Sequence, residues 1–167
     1  MKPKFQGTPV KLVGNTLNVG DCAPVVKLKT KDLAVFEVGG KKDKIQLINV
    51  VPSLDTPVCV KQAKEFNAKA ASLSNVELSL VSVDLPFAQG RFCSTESVNN
   101  LNVLSDFVEK EFGQKYGVLI GDSPLEGLLT RAVFVVGTCG KVLYKQVCEE
   151  ITNEPNYQEI LEFLKNI

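Results

Sequence analysis

The chemistry this chain can do rests on its cysteines, and Cys59 occupies the setting best suited to a reactive sulfur. It closes the run Pro52-Ser53-Leu54-Asp55-Thr56-Pro57-Val58-Cys59. The apolar stretch Ile45 to Val51 leads into that run and predicts a buried strand. Beyond it, Cys59, Ala63, Phe66, Ala70 and Leu73 recur at threes and fours and predict one face of a helix. Thr56 followed by Pro57 is a helix-start signal, because a hydroxyl can cap the first free amides and proline suits the first helical position. Cys59 then falls in the first turn, facing inward, where unpaired N–H groups at the positive end of the helix dipole stabilise a thiolate. Against this stands the burial habit of free cysteine, which often only fills space. A strand–turn–helix setting favours a site, since open α/β sheets keep their sites beyond the carboxyl ends of strands. Local geometry alone leaves the two readings level.

Composition narrows the chemistry further. The 167 residues are 44% hydrophobic, enough for one domain spanning residues 1–167 with a real core. Lysine plus arginine and aspartate plus glutamate each total 19, so the formal net charge is zero and there is no basic excess to attract nucleic acid or anionic lipid. No apolar run reaches membrane-spanning length, and Met1 to Gly7 lacks the apolar core of a signal peptide, so a reducing, cytoplasmic setting is expected. Histidine is absent. That removes Ser–His–Asp and Cys–His catalysis, the usual haem ligand and most catalytic zinc sites. The five cysteines are Cys22, Cys59, Cys93, Cys139 and Cys148, and none forms a C-x-x-C pair. Metal-ribbon and dithiol-reductase chemistry lose their main support, and no metal or cofactor is expected. What remains is thiol chemistry or none.

The elements that would hold Cys59 follow from periodicity and turn residues. Val10 to Val19 alternates around Gly14-Asn15 and predicts an N-terminal hairpin. Gly20 to Pro24 reads as a turn leading into Val25–Leu28, and a short element around Leu33–Val38 ends at Gly39-Gly40. Ser74-Asn75 ends the Cys59 helix, and Val76 to Leu85 predicts a second core strand that stops at Pro86. The two strands and the helix form a βαβ unit, expected to be parallel and right-handed. Phe87 to Cys93 reads as a loop or short helix, Leu101–Leu104 as a strand, and Phe107 to Tyr116 as a helix that Gly113 could interrupt. Arg131–Val136 predicts a third core strand, turned back at Thr138-Cys139-Gly140-Lys141 into Val142–Val147. A last amphipathic helix carries Tyr157, Ile160, Leu161 and Leu164 on one face. The order β-α-β-α-β-β-α after a hairpin predicts an α/β, thioredoxin-like fold: a central mixed sheet flanked by helices, with an N-terminal β-hairpin.

In a thioredoxin-like frame the first cysteine of C-x-x-C would fall at position 56, where this chain has Thr56. With that residue the chain resembles the peroxiredoxins, specifically the bacterial thiol peroxidase subgroup of atypical two-cysteine peroxiredoxins. The resemblance runs nearly end to end, through Val19-Gly20-Asp21, Ala23-Pro24, Pro52 to Cys59, Asp84-Leu85-Pro86-Phe87-Ala88-Gln89, Arg91-Phe92-Cys93, Tyr116-Gly117-Val118, Arg131-Ala132-Val133 and Glu154-Pro155-Asn156-Tyr157. It implies that Cys59 is the peroxidatic cysteine, attacking a peroxide oxygen and leaving as sulfenate. It implies that Thr56 offers its hydroxyl to sulfur and peroxide, that Pro52 walls the pocket, and that Arg131 supplies a fixed positive charge. Cys93 is implied as the resolving cysteine, condensing with Cys59 into a disulfide within one chain. Hydrogen peroxide and organic hydroperoxides as substrates, thioredoxin as reductant and a homodimer are implied likewise.

Each residue also has a plainer role on its type alone. Thr56 would cap a helix, Pro52 end a strand, Arg131 form a surface ion pair and Cys93 pack. Phe87 and Phe92 suggest an apolar wall suited to organic hydroperoxides. Cys22 and Cys139 lie in turns and Cys148 ends a strand, without assigned roles; an exposed Cys139 would be open to adventitious intermolecular disulfides. Because a disulfide needs Cα atoms within roughly 7 Å, closing Cys59 onto Cys93 is expected to require local unwinding. Two other functions fit thiol chemistry on this fold. One is a thiol–disulfide carrier, which Thr56 argues against. The other is a non-catalytic redox sensor or binding module using the Cys59–Cys93 switch.

Overall fold

The computed structural model describes residues 2–69 and 72–167. Its centre is the strand β6 (Ile45–Val50), whose apolar run is buried on both faces, as expected for an inner strand of a sheet covered on each side. Five shorter strands precede it: β1 (Lys4–Phe5), β2 (Thr8–Pro9), β3 (Leu12–Val13), β4 (Val26–Thr30) and β5 (Val35–Val38). After it come α1 (Pro57–Lys69), β7 (Val76–Ser82), α2 (Pro86–Glu96), β8 (Asn102–Ser105), α3 (Glu111–Lys115), β9 (Leu119–Ile120), β10 (Ala132–Val136), β11 (Val142–Val147) and α4 (Tyr157–Lys165). Seven strands form the main sheet in the order β11-β10-β6-β7-β8-β4-β5. β6, β7 and β8 run parallel, joined through helices, and the flanking strands are antiparallel, so the sheet is mixed.

Period-two alternation divides the strand residues between two cores. Ile48, Val50, Ala132, Phe134 and Val136 face one side, with Phe112 and Tyr116 packed there. Leu47, Val133 and Val135 face the other, under Phe66 of α1 and Ile160 and Leu164 of α4. Full burial of a ring such as Phe66 stabilises the fold by roughly 1.5–3 kcal/mol, which anchors α1 firmly at its middle. Of the residues predicted on the α1 face, Cys59, Ala63 and Phe66 are buried and Leu73 packs on the α4 core. Ala70 lies outside the described residues.

Several elements differ from the sequence expectations, each for a local reason. The N-terminal hairpin is present, but it is β1–β2, with Lys4 opposite Pro9. The Gly14 region does not turn Val10–Val19 onto itself. Gly14 has φ +97 and sits so close to the Gln114 carbonyl that a Cβ would lie 2.2 Å from it, while β3 pairs with β9 instead. The helix predicted over Phe107 to Tyr116 forms only as α3, because Lys110 is in the left-handed region. Gly113 does not interrupt it; a Cβ there would meet Leu129 at 2.7 Å, so close packing requires the glycine. β7 stops at Ser82, where Asp84 turns the chain into α2, and Phe87–Cys93 lies wholly within that helix.

α3 is held to β8 by the buried Asp106, whose carboxylate accepts the Phe112 and Gly113 N–H groups at 3.0 and 2.9 Å. Burial raises its pKa from 3.8 to about 6, against the pull of those two bonds. A carboxyl raised on folding contributes stability that is complete below its unfolded value and lost as pH rises through its folded one. The parent should therefore gain urea resistance relative to Asp106→Asn as pH falls from about 7 to about 5. Parallel stability curves for the two proteins would show that this carboxyl titrates normally.

Candidate active site

Cys59 is the third residue of α1 and has no exposed surface. Pro57 opens the helix, with its missing N–H where no intrahelical bond is needed. The Thr56 carbonyl accepts the Val60 N–H at 3.0 Å and so starts the helical ladder. The half-buried Thr56 hydroxyl donates to the Ser53 carbonyl at 3.1 Å, so it ties down the turn before the helix. Pro52 is buried directly after β6 and Val51.

Arg131 reaches the sulfur from the neighbouring strand. The antiparallel register sets Ala132 opposite Val50, so Arg131, one residue before β10, lies beside the exit of β6 where the turn into α1 begins. It is 2% exposed, which rules out the surface ion pair its type alone would suggest. Each guanidinium nitrogen is committed. Nε donates to the Ile151 carbonyl at 2.8 Å, Nη1 to Gln62 Oε1 at 2.8 Å, and Nη2 to Cys59 Sγ at 3.3 Å. Among the described residues Arg131 makes no salt bridge with a carboxylate. A buried guanidinium is costly unless its donors are met, and here each of its three nitrogens finds an acceptor, the Cys59 sulfur among them.

Gln62 was not singled out from sequence. It is fully buried three residues after Cys59, and its Nε2 has no hydrogen-bond partner. A glutamine beside an otherwise apolar helix stripe was the available signal. The Ile151 carbonyl, the other prop of Arg131, carries no side-chain signature at all.

Cys93 lies in α2 and is half-buried. It packs, with Phe92, against the apolar cluster of Val51, Leu54, Cys59, Ala63, Leu80 and Val98, so both cysteines belong to one patch of core. Burial pushes the Cys93 thiol up, and the Lys31 ammonium opposes the shift. A cleft of about 490 Å³ lined by Ser53, Leu54, Asp55, Val60, Arg91 and Phe92 opens between α1 and α2. A second, of about 500 Å³, reaches Cys93 from the side of Lys31 and Asp32. Phe92 lines the first cleft, but Phe87 is 71% exposed and walls neither.

All five cysteines are free. Cys22 and Cys139 are exposed, while Cys148 is buried, its N–H bonded to the Arg131 carbonyl. Burial pushes the Cys148 thiol up to about 11, so it stays neutral beside the guanidinium and does not compete for its charge. The described residues contain no cluster of potential metal-ligating side chains and no helix long and apolar enough to cross a membrane.

The Redoxin family model matches residues 18–161. A thiol peroxidase from Campylobacter jejuni is 58% identical over 159 residues, covering 95% of this chain and 90% of that protein. One from Aquifex aeolicus is 50% identical over 163 residues, covering 98% and 96%. Among solved structures, a peroxiredoxin-like protein from Aquifex aeolicus has a TM-score of 0.96 at 49% identity, covering 99% of this chain and 96% of the other. A thiol peroxidase from Chromobacterium violaceum has a TM-score of 0.88 at 19% identity over 99% and 96% of the two chains, and there the likeness is one of fold.

The three-way hold on Arg131 gives a direct test. Lysine keeps the charge but cannot bond Ile151, Gln62 and the sulfur together. Arg131→Lys should lower the rate of Cys59 oxidation by hydrogen peroxide roughly tenfold or more, measured by rapid quench and mass spectrometry. A rate equal to the parent's would show that charge alone suffices.

Proposed function

This chain belongs to the Redoxin family and is a thiol-dependent peroxidase of the peroxiredoxin type with a thioredoxin fold, and we propose that it works through Cys59 and Cys93. The observation that carries the assignment is the 3.3 Å contact of a buried arginine with a sulfur in the first turn of a helix. The thiolate attacks the terminal peroxide oxygen, the O–O bond breaks, and the departing oxygen takes up a proton and leaves as water or alcohol. Cys59 becomes a sulfenic acid. Arg131 and the first-turn amides hold the negative charge, first on sulfur and then on the leaving oxygen. Gln62 and the Ile151 carbonyl fix the plane of the guanidinium. Thr56 stands one helical turn before the sulfur, its hydroxyl able to swing from Ser53 to the peroxide, and Pro52 closes the wall behind it.

Cys93, as thiolate, then attacks the Cys59 sulfur; an S–S bond forms and hydroxide leaves as water. A thioredoxin-type dithiol returns two electrons and opens the disulfide by exchange. The closure requires α2 and the first turn of α1 to unwind, which α2 permits cheaply: it buries only Pro86 and Gln89 and has no side-chain cap at its start. Hydrogen peroxide and small organic hydroperoxides are the substrates, with Phe92 offering the cleft its apolar side. No cofactor takes part in these steps. We further propose that residues 1–167 act as one domain, that the working unit is a homodimer, and that it functions in the cytoplasm, where thiol reductants keep the cycle running. The curated thiol peroxidase relatives do not favour the sensor alternative.

Three variants separate the steps. Cys59→Ser should abolish peroxide consumption with the fold intact, as judged by circular dichroism. Cys93→Ser should keep the parental rate of first oxidation, lose thioredoxin-supported turnover, and run on to sulfinic and sulfonic acids under excess peroxide. Joint replacement of Cys22, Cys139 and Cys148 should leave turnover in place. The oxidised parent should yield a Cys59–Cys93 crosslink within one chain on non-reducing peptide mapping; a crosslink to Cys139, Cys148 or another subunit would displace Cys93 from this role.

A further inference from the structure

Asp84 sits in the short turn between β7 and α2, away from both cysteines in sequence, yet its carboxylate is shared by the segments that carry them. Oδ1 accepts the Ser53 hydroxyl at 2.7 Å, and Oδ2 accepts the Leu54 N–H and the Ser82 hydroxyl, each at 2.7 Å. Ser53 passes this hold to the Cys59 turn, because its Oγ accepts the Asp55 N–H at 3.2 Å and its carbonyl accepts the Thr56 hydroxyl. Ser82 passes it to the Cys93 helix, because its Oγ accepts Gln89 Nε2 at 3.1 Å, one helical turn before Cys93. Gln89 is fully buried and also donates to the Leu104 carbonyl at 2.8 Å, while Ser105 donates its hydroxyl to the Asp84 carbonyl. A continuous chain of hydrogen bonds therefore runs from Thr56 through Ser53, Asp84 and Ser82 to Gln89.

We propose that Asp84 is a positioning residue that latches the Cys59 turn and the Cys93 helix together in the reduced fold. The inference rests on Cys59 and Cys93 being the reacting pair. With the latch made, the Ser53–Thr56 turn is rigid and Cys59 is held ready for peroxide. For the sulfenic acid to reach Cys93, the turn must leave Asp84 or the helix must leave Ser82, so the same carboxylate resists the opening that resolution needs. The latch thus sets the competition between resolution, which is limited by opening, and a second oxidation by peroxide, which attacks the sulfenate while the fold stays closed. A carboxylate suits this task, since an ionised acceptor can take three donors at once, and an amide of the same shape cannot.

The decisive quantity is the ratio of Cys59–Cys93 disulfide to Cys59 sulfinic acid after a pulse of excess hydrogen peroxide. It is counted by mass spectrometry among molecules already oxidised at Cys59, so it does not depend on how much protein is folded. Asp84→Asn should raise that ratio about threefold or more, because more of the sulfenate population is open. The same variant should slow the first oxidation roughly tenfold, because the turn is less well aligned. Ser53→Ala, which keeps the Leu54 bond and removes the hydroxyl, should move both in the same directions by less; it decides the matter alone if Asp84→Asn does not fold. An unchanged ratio, or one displaced toward sulfinic acid, overturns the latch whatever happens to the first oxidation. A parent that forms no Cys59–Cys93 disulfide fails the assignment of the pair itself, before any variant is compared.

Discussion

A guanidinium held at 2% exposure, with no salt bridge to a carboxylate among the described residues, must have its donors met inside the protein, and the site is arranged around that need of Arg131. Two of its nitrogens are satisfied by neutral acceptors, the Gln62 amide oxygen and the Ile151 carbonyl, which remove the hydrogen-bond deficit but not the charge. The third points at Cys59 Sγ. The sulfur therefore shares its buried environment with a guanidinium whose other donors are already met.

The mixed sheet is what makes this contact possible. β6 and β7 are parallel, so the chain leaving β6 enters α1 at the carboxyl edge of the sheet. β10 is antiparallel to β6, so its first residues arrive at the same edge. The exit of one strand and the entrance of the other therefore meet, with Cys59 on the first and Arg131 on the second. The apolar stripes of α1 and α4 pin the helices over one face, and the rigid end of the site follows from that packing.

The other end of the site, the start of α1 and the facing helix α2, relies more on polar contacts. α1 is anchored by Phe66 and Ala63 inside its length, and its first turn by the buried Cys59 together with the hydrogen bonds of the turn before it. α2 is anchored by little apolar area and by polar contacts through Gln89. Bonds to a carboxylate are stronger than neutral ones, so the Asp84 contacts are what join the two segments at this end of the site. Placing both thiols in one apolar cluster adds a second condition. Burial there pushes the Cys93 thiol up, against the pull of the Lys31 ammonium.

By itself the sequence determined the β6–α1–β7 unit, the β10–β11 hairpin and the last helix, the position of Cys59 in a first helical turn, and the kind of chemistry that a histidine-free chain with unpaired cysteines can do. These are local matters: period two or period three to four, proline at a helix start, and a residue type that is present or missing. The Cys93 assignment and the role of Arg131 were legible only through the resemblance, since nothing near either residue in sequence shows what it touches. Tertiary structure alone decided that Arg131 is buried rather than exposed, that Gln62 and the Ile151 carbonyl hold it, and that Asp84 joins two segments thirty residues apart. It also moved the hairpin from Gly14 to the β1–β2 turn, because Gly14 packs against the distant Gln114 carbonyl, and it began α3 only after the left-handed Lys110. Periodicity reports which face of an element is apolar. It does not report what lies across from that face, and the contact of Arg131 with Cys59 is set there.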